Sequence, residues 1–251
     1  MTGKLLARGL LAGLLAGALA LTFAHAWGEP HIDAAIAIEE MAGGGHHHDD
    51  AAAATEDDSP ELVSRATQAT LGLAAGMLIH GAALGGLFAL VFAFVQGRVG
   101  ATGARTTAAL LALAGFVAIT LVPQLKYPAN PPAVGSGDTI GLRTALFFAM
   151  LALSILAMVI GVAVARRLRA RMGPWPAAIQ GGAVWLVLVA ALLVFMPSVQ
   201  EVPPDFPADL LWGFRTAMLG VHAILWTTIA LTFGALAERL LEGRPRMAYQ
   251  H

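Results

Sequence analysis

The sequence predicts an all-α integral membrane protein with six transmembrane helices, and three observations support this prediction. Of the 251 residues, 57% are hydrophobic and only 12% are charged, about half the charged fraction of a soluble domain. Several apolar runs reach the roughly 20 residues that a helix needs to cross a bilayer. The basic residues cluster at the ends of these runs, in alternate loops. The chain has no cysteine, which excludes disulfides and thiolate metal sites.

The first apolar run, from Leu10 to Phe23, follows Lys4 and Arg8 and admits two interpretations. A basic start, a short apolar core and the tripeptide Ala24-His25-Ala26 are typical of a cleaved secretory signal. The same run is also suitable as an uncleaved first span, which the pattern of the later spans favours. We therefore assign residues 1–27 to a first transmembrane span with signal-like character.

Residues 28–65 form an acidic tract, which we predict to be a flexible external loop because Gly and Ala flank its charges. Imidazole and carboxylate groups bind divalent transition metals, but a flexible tract cannot enforce a coordination geometry. We therefore expect it to be an auxiliary collector that captures metal ions weakly and unselectively. A solvated linker without metal is the alternative. The candidate ligands are His46, His47, His48, Asp49 and Asp50.

Five further apolar runs form the predicted bundle over residues 66–240, and residues 241–251 form a predicted cytoplasmic tail. The second span contains the spacings Gly72-x-x-x-Gly76 and Gly81-x-x-x-Gly85, which allow helix backbones to approach closely. The five runs extend approximately over Ala66–Val95, Thr107–Val122, Arg143–Ala165, Pro174–Phe195 and Leu211–Leu236.

The basic residues predict the orientation of the bundle. With the amino terminus in the cytoplasm, all Lys and Arg residues except Arg65, Lys126, Arg143 and Arg215 lie on the cytoplasmic side. This distribution satisfies the positive-inside rule at every cytoplasmic segment. Six spans then place both termini in the cytoplasm, and we expect a multi-pass protein of the inner (cytoplasmic) membrane.

Three of the four exceptions begin a span with nearly the same tripeptide. These tripeptides are Arg65-Ala-Thr, Arg143-Thr-Ala and Arg215-Thr-Ala. The repetition predicts three helical hairpins, each with an outer loop and an Arg-led return span, as in transporters built from repeats. Alternatively, each arginine anchors a helix end at the lipid headgroups.

His80 in the second span and His222 in the sixth are the candidate metal ligands inside the membrane. An ionisable group within a span is costly and usually faces the bundle interior. Met77 precedes His80 by three residues and Met218 precedes His222 by four, so each pair shares a helix face. The spacing predicts a thioether–imidazole path for a transition metal. The alternative is a histidine bonded to a neighbouring helix, with methionine as packing.

Two proline-rich stretches, Leu121–Gly135 and Met196–Pro207, interrupt the apolar pattern on the outer side, where a regular helix cannot continue. Their polar residues predict a polar mouth above the bundle, although the same residues also suit loop-stabilising contacts. Asp138 is close enough to Arg143 in sequence for the two to pair across the start of the fourth span. Within these stretches or shortly after them, the mouth residues are Lys126, Tyr127, Asn130, Asp138, Arg143, Asp205 and Arg215.

The sequence gives no support for an enzyme or for nucleic-acid binding. It contains no nucleophile–base arrangement, phosphate loop or nucleotide-binding motif. Its basic residues stand in short juxtamembrane clusters without aromatic partners. We therefore expect no enzyme activity and no permanently bound cofactor.

Three stretches resemble the CbtA family. They are Leu121–Gly135, which contains Lys126-Tyr-Pro-Ala-Asn-Pro-Pro132 and is followed by Arg143, then Gly81–Phe94, and Phe206–Arg215. That family is described as the membrane subunit of a cobalt transporter, so the resemblance implies cobalt(II) uptake connected with cobalamin synthesis. It also implies a small one-span, histidine-containing partner of the CbtB type. The residues themselves indicate only a divalent metal, and a scaffold that binds a partner through its Gly-x-x-x-Gly faces is the alternative function.

Overall fold

The structure, a computed structural model, describes residues 1–43, 64–98, 100 and 102–242. In these ranges every regular element is a helix, and six helices are long and apolar enough to cross a membrane. The predicted all-α class with six spans is therefore confirmed. The tract from His46 to Asp50 lies outside the described residues. The six helices are α1 (Thr2–Met41), α2 (Arg65–Val95), α3 (Ala104–Lys126), α4 (Gly137–Met172), α5 (Pro174–Phe195) and α6 (Ala208–Leu241).

Helix α1 is longer than its apolar run predicts. Regular helix over Thr2–Phe23 is followed by one wider turn at Ala24–Gly28, and regular helix then resumes over Glu29–Gly43. The wider turn lies where Pro30 cannot donate to the carbonyl four residues earlier. The 40 residues of α1 span about 60 Å, twice the hydrocarbon core of a bilayer. The prediction of a flexible loop from residue 28 onward is therefore wrong for its first part, which is helical.

The six helices alternate in direction and create two ends of the bundle. The proline end carries the two proline-rich stretches and the acidic part of α1, and the arginine end carries the basic clusters, including Arg166–Arg171. At the proline end α3 continues past its predicted limit, because a wider turn at Phe116–Leu121 accommodates Pro123 within the helix Val122–Lys126.

Helices α1, α2, α3 and α6 form one densely packed body, which we call the four-helix unit. α1 and α2 meet backbone to backbone: a Cβ atom on Gly13 would overlap the carbonyl oxygen of Gly81, and one on Gly85 would overlap that of Gly9. Nearby, Phe92 of α2 meets Phe233 of α6 edge to face, with ring centroids 4.9 Å apart. The Gly81-x-x-x-Gly85 spacing of α2 is thus used inside the chain.

Helices α4 and α5 pack on each other and form a second body, the α4–α5 pair. They approach each other closely at Gly161 and Gly181, where added Cβ atoms would collide with the facing helix. The pair is joined to α3 by a small core that includes Val122, Met150 and Val189. Helix α5 packs chiefly on α4 and not on α6. The third predicted hairpin, α5 with α6, is consequently not a packed pair.

Candidate functional site

A cavity of about 1500 Å³ lies between the four-helix unit and the α4–α5 pair. It extends from the middle of α2 and α6, at His80 and His222, to the two proline-rich stretches at the proline end. Trp226 lies beside His222 and donates from Nε1 to the Thr120 hydroxyl at 3.2 Å, which links α6 to α3 at the inner part of the cavity. The cavity therefore connects the middle of the helix bundle with the polar loops.

The two histidines within the spans face each other in this cavity. Their ring centroids are 6.2 Å apart, with one ring edge toward the other. His80 is exposed and His222 is half-buried. Within the described ranges, neither ring forms a hydrogen bond with another residue. Both imidazoles are thus available to an incoming ligand, whereas the alternative of a bonded histidine requires a partner that these ranges do not provide.

The two methionines occupy a different environment from the histidines. Met77 and Met218 pack against the apolar core of the four-helix unit, and the Met218 methyl group lies near Gly28 of α1. Neither side chain lines the cavity. The described part of the chain contains no group of three or more His, Asp or Glu residues that could hold a metal ion. The cavity therefore offers two imidazoles and no thioether.

Two residues at the end of α3 tie the first proline-rich stretch to the end of α5. The Lys126 ammonium donates to the Leu193 carbonyl at 3.0 Å and to the Ser198 hydroxyl at 2.9 Å. The Tyr127 hydroxyl donates to the Pro197 carbonyl at 2.6 Å. Burial raises the pKa of Tyr127, so the phenol stays protonated and remains a donor at neutral pH.

Arg143 at the start of α4 is held by the stretch that precedes α6. Its Nε lies 2.8 Å from Oε2 of Glu201, whose side chain is only 7% exposed. The N–H bond does not point at the carboxylate, so the contact is an ion pair and not an aligned hydrogen bond. The Thr139 hydroxyl donates to the other oxygen of Glu201. Gly135, at φ +129°, leaves room for the guanidinium, which a Cβ atom there would overlap.

The expected pairing of Asp138 with Arg143 is wrong. Asp138 is exposed in the short helical turn Gly137–Thr139, and its backbone N–H contacts the Ser136 hydroxyl. Five residues along a helix correspond to a rotation of about 140°, which places the two side chains on different faces. Glu201, distant in sequence, is the acid that meets Arg143.

Arg215 at the start of α6 is held by the stretch that precedes α4. Its Nη2 donates to the Asn130 side-chain oxygen at 2.8 Å, and its Nε donates to the Ala129 carbonyl at 3.3 Å. The two contacts are therefore reciprocal: Arg143 of α4 binds the loop that leads into α6, and Arg215 of α6 binds the loop that leads into α4. Arg65 instead pairs with acids of α1, namely Glu29 and, at 2.8 Å, Asp33.

Most of the predicted mouth residues line the cavity, but two of them do not. Asp138 and Asp205 are exposed and do not line the cavity. Three polar residues that were not predicted also line the cavity, namely Thr120, Gln124 and Thr144. Their signal was present in the sequence, since each is a polar residue within or beside an apolar run. The predicted mouth residues that do line the cavity are Lys126, Tyr127, Asn130, Arg143 and Arg215.

A family model described as "Probable cobalt transporter subunit (CbtA)" matches residues 2–238. The chain belongs to the CbtA family. The match covers the cavity and nearly all of the six helices, so the resemblance found in the sequence is confirmed. The CbtA description is that of a transporter subunit, which implies a partner and is not an enzyme class. Together with the six apolar helices, it indicates a multi-pass membrane protein. No curated protein and no solved structure matches the chain.

Proposed function

We propose that this CbtA protein is the membrane subunit through which cobalt(II) enters the cell. The observation that carries the proposal is the pair of facing histidines, His80 and His222, in a cavity that leads to the proline end. Neutral imidazole is the commonest protein ligand of transition metals and suits cobalt as well as its neighbours. The family description supports cobalt among these metals.

The proposed direction of transport follows from the segregation of charge. The arginine end carries the basic clusters, so we place it and both termini in the cytoplasm and the proline end outside the inner membrane. The membrane potential then favours entry of a divalent cation by about 4–5 kcal/mol per 100 mV. The tract from His46 to Asp50 would collect ions near the mouth. A reporter fused after Leu241 should read as cytoplasmic, and an external reading contradicts this orientation.

The function is tested by cobalt uptake in cells that express the chain with and without a one-span, histidine-containing partner. The double variant His80→Ala, His222→Ala should lose most of the uptake, and each single variant should lose part of it. His25→Ala is the matched control, because His25 is exposed on α1 and does not line the cavity. Immunoblots of the membrane fraction show whether all variants reach the membrane equally. Unchanged uptake in the double variant contradicts the proposal.

A non-transporting scaffold is the second candidate, and the glycine contacts bear on it. The pair Gly81 and Gly85 is already covered by α1, whereas an added Cβ at Gly76 would meet nothing within 4 Å. The face with Gly72 and Gly76 is therefore the one that is open to a partner helix. Three results together would favour the scaffold. Uptake would require the partner, would be lost when a large residue replaces Gly76, and would persist without both cavity histidines.

A further inference from the structure

The cavity assigned to a divalent cation has a lining with excess positive charge. Lys126, Arg143 and Arg215 line it, and Glu201 is its one carboxylate within the described ranges. Glu201 is already paired with Arg143. In the same ranges Lys126 and Arg215 contact only neutral acceptors, which are the Leu193 and Ala129 carbonyls, the Ser198 hydroxyl and the Asn130 amide.

This charge distribution is unfavourable for a bare metal ion. Charges of one sign that line a cleft with low-dielectric walls create a strong local potential, and here its sign repels cations. The same potential attracts anions and raises their local concentration. Guanidinium and ammonium groups are also the side chains that best recognise carboxylate and phosphate oxygens.

The donor set deeper in the cavity leads to the same conclusion independently. Transition metals in proteins commonly take four or more ligands, and the cavity offers the two imidazoles of His80 and His222. Arg215 precedes His222 by seven residues on α6, so it lies about 10 Å nearer the proline end on the same helix face. A ligand that arrives with the metal would thus have cationic groups along its path.

We propose that the cavity binds its metal as a complex with a small oxyanion: His80 and His222 ligate the metal, and Lys126 and Arg215 bind the anion. A multidentate carboxylate is the ligand class that fits best, because some of its oxygens ligate the metal while others remain for the cationic side chains. The inference rests on the proposed function and specifies its substrate as a metal–carboxylate complex.

The test measures binding to the purified full chain by calorimetry with three probes: Co²⁺ alone, citrate alone and premixed Co²⁺–citrate. We expect the premixed complex to bind more tightly than Co²⁺ alone, and citrate alone to bind weakly. Lys126→Gln and Arg215→Gln should each weaken binding of the complex about tenfold, the loss expected for one charge-assisted hydrogen bond. A bare-cation substrate predicts the opposite sign, because removal of a positive charge would then strengthen Co²⁺ binding.

Two further variants separate charge from folding. Arg215→Lys keeps the charge but loses the guanidinium contacts with Asn130 and Ala129, so it should retain most of the binding that Arg215→Gln loses. Arg239→Gln removes an exposed arginine at the other end of α6 and should leave binding unchanged. Equal losses in Arg215→Lys and Arg215→Gln would overturn the electrostatic argument.

The remaining arms identify the source of the anion and separate the two proposals. If inorganic phosphate or nanodiscs rich in phosphatidylglycerol abolish citrate binding, while neutral-lipid nanodiscs preserve it, the cations serve phosphate groups and the carboxylate proposal is overturned. Histidine-dependent binding of Co²⁺ that citrate does not alter also overturns it but leaves the proposed function intact. The proposed function is contradicted instead if citrate binding requires Arg215 while Co²⁺ binding does not change when both histidines are replaced.

Discussion

The four-helix unit and the α4–α5 pair are held together by different amounts of packing. In the apolar windows of α1, α2, α3 and α6, 33–39% of the residues are buried inside the protein, against 22% in α4 and 11% in α5. The four-helix unit is closed by glycine contacts such as Gly13 with Gly81 and by aromatic packing. The pair is joined to it through α3 and through contacts at the proline end.

The cavity lies between these two bodies, so one of its walls is densely packed and the other is packed less densely. Both histidines belong to the four-helix unit, whereas Arg143 and Thr144 stand on the α4–α5 pair. Regions with fewer buried apolar contacts open at a lower free-energy cost. We therefore expect the wall formed by the four-helix unit, which carries both histidines, to stay fixed. The wall formed by the α4–α5 pair should move when the cavity opens.

The largest effect is expected where the four-helix unit is closed. Gly81→Val should destabilise the protein by about 3 kcal/mol, because the added side chain would overlap the backbone of α1 at Gly13 and Gly17. Gly76→Val on the same helix is the control, since a Cβ there meets nothing within 4 Å. Membrane abundance and thermal unfolding measure the difference. Similar losses in both variants would show that the glycine contact does not hold the unit together.

The second largest effect concerns the two histidines on the wall formed by the four-helix unit. Neutral imidazole ligates a metal ion and protonated imidazole cannot, so acidification of the external medium should lower cobalt uptake. The measurement is the initial rate of cobalt uptake in neutral and in acidic external medium. The His80→Ala, His222→Ala variant should show a flat profile at its residual rate. A fall of the same size in that variant would place the titrating group elsewhere.

A smaller effect is expected where the α4–α5 pair is tied at the proline end. Tyr127→Phe removes the hydrogen bond to Pro197 with little change of shape and should cost about 1 kcal/mol. The thermal unfolding midpoint should fall by a few degrees. Because burial raises the pKa of Tyr127, the difference from wild type should persist up to alkaline pH. An unchanged midpoint would show that this contact does not hold the pair.

The smallest effect is predicted for the His46–His48 tract, which lies outside the described residues. Substitution of the three histidines by alanine should lower uptake about two- to threefold at limiting metal and leave the saturated rate unchanged, because we expect the tract to collect ions without selecting them. Uptake curves over a range of cobalt concentrations separate these quantities. Complete loss at saturating metal would make the tract an obligatory site.

The amino-acid sequence by itself determined the number of spans, their approximate limits and the family. These are local properties, because the length of an apolar run and the charges at its ends decide insertion whatever the neighbours are. The same locality identified His80 and His222, since an ionisable group in an apolar run stands out without knowledge of its partner. The extension of α1 from Glu29 to Met41 was missed because its acidic composition is as typical of a solvated loop as of a helix that projects from the membrane.

Only the tertiary structure decided which faces meet. Met77 and His80 are close on one helix surface, yet one packs in the core and the other lines the cavity. Arg143 takes Glu201 and not the nearby Asp138, because the loops cross over at the proline end. In a membrane the lipid is as apolar as the helix surfaces, so hydrophobic pattern alone does not distinguish a packed face from a lipid-facing one. Close packing at glycines and the few polar contacts make that choice, and both depend on residues far apart in the chain.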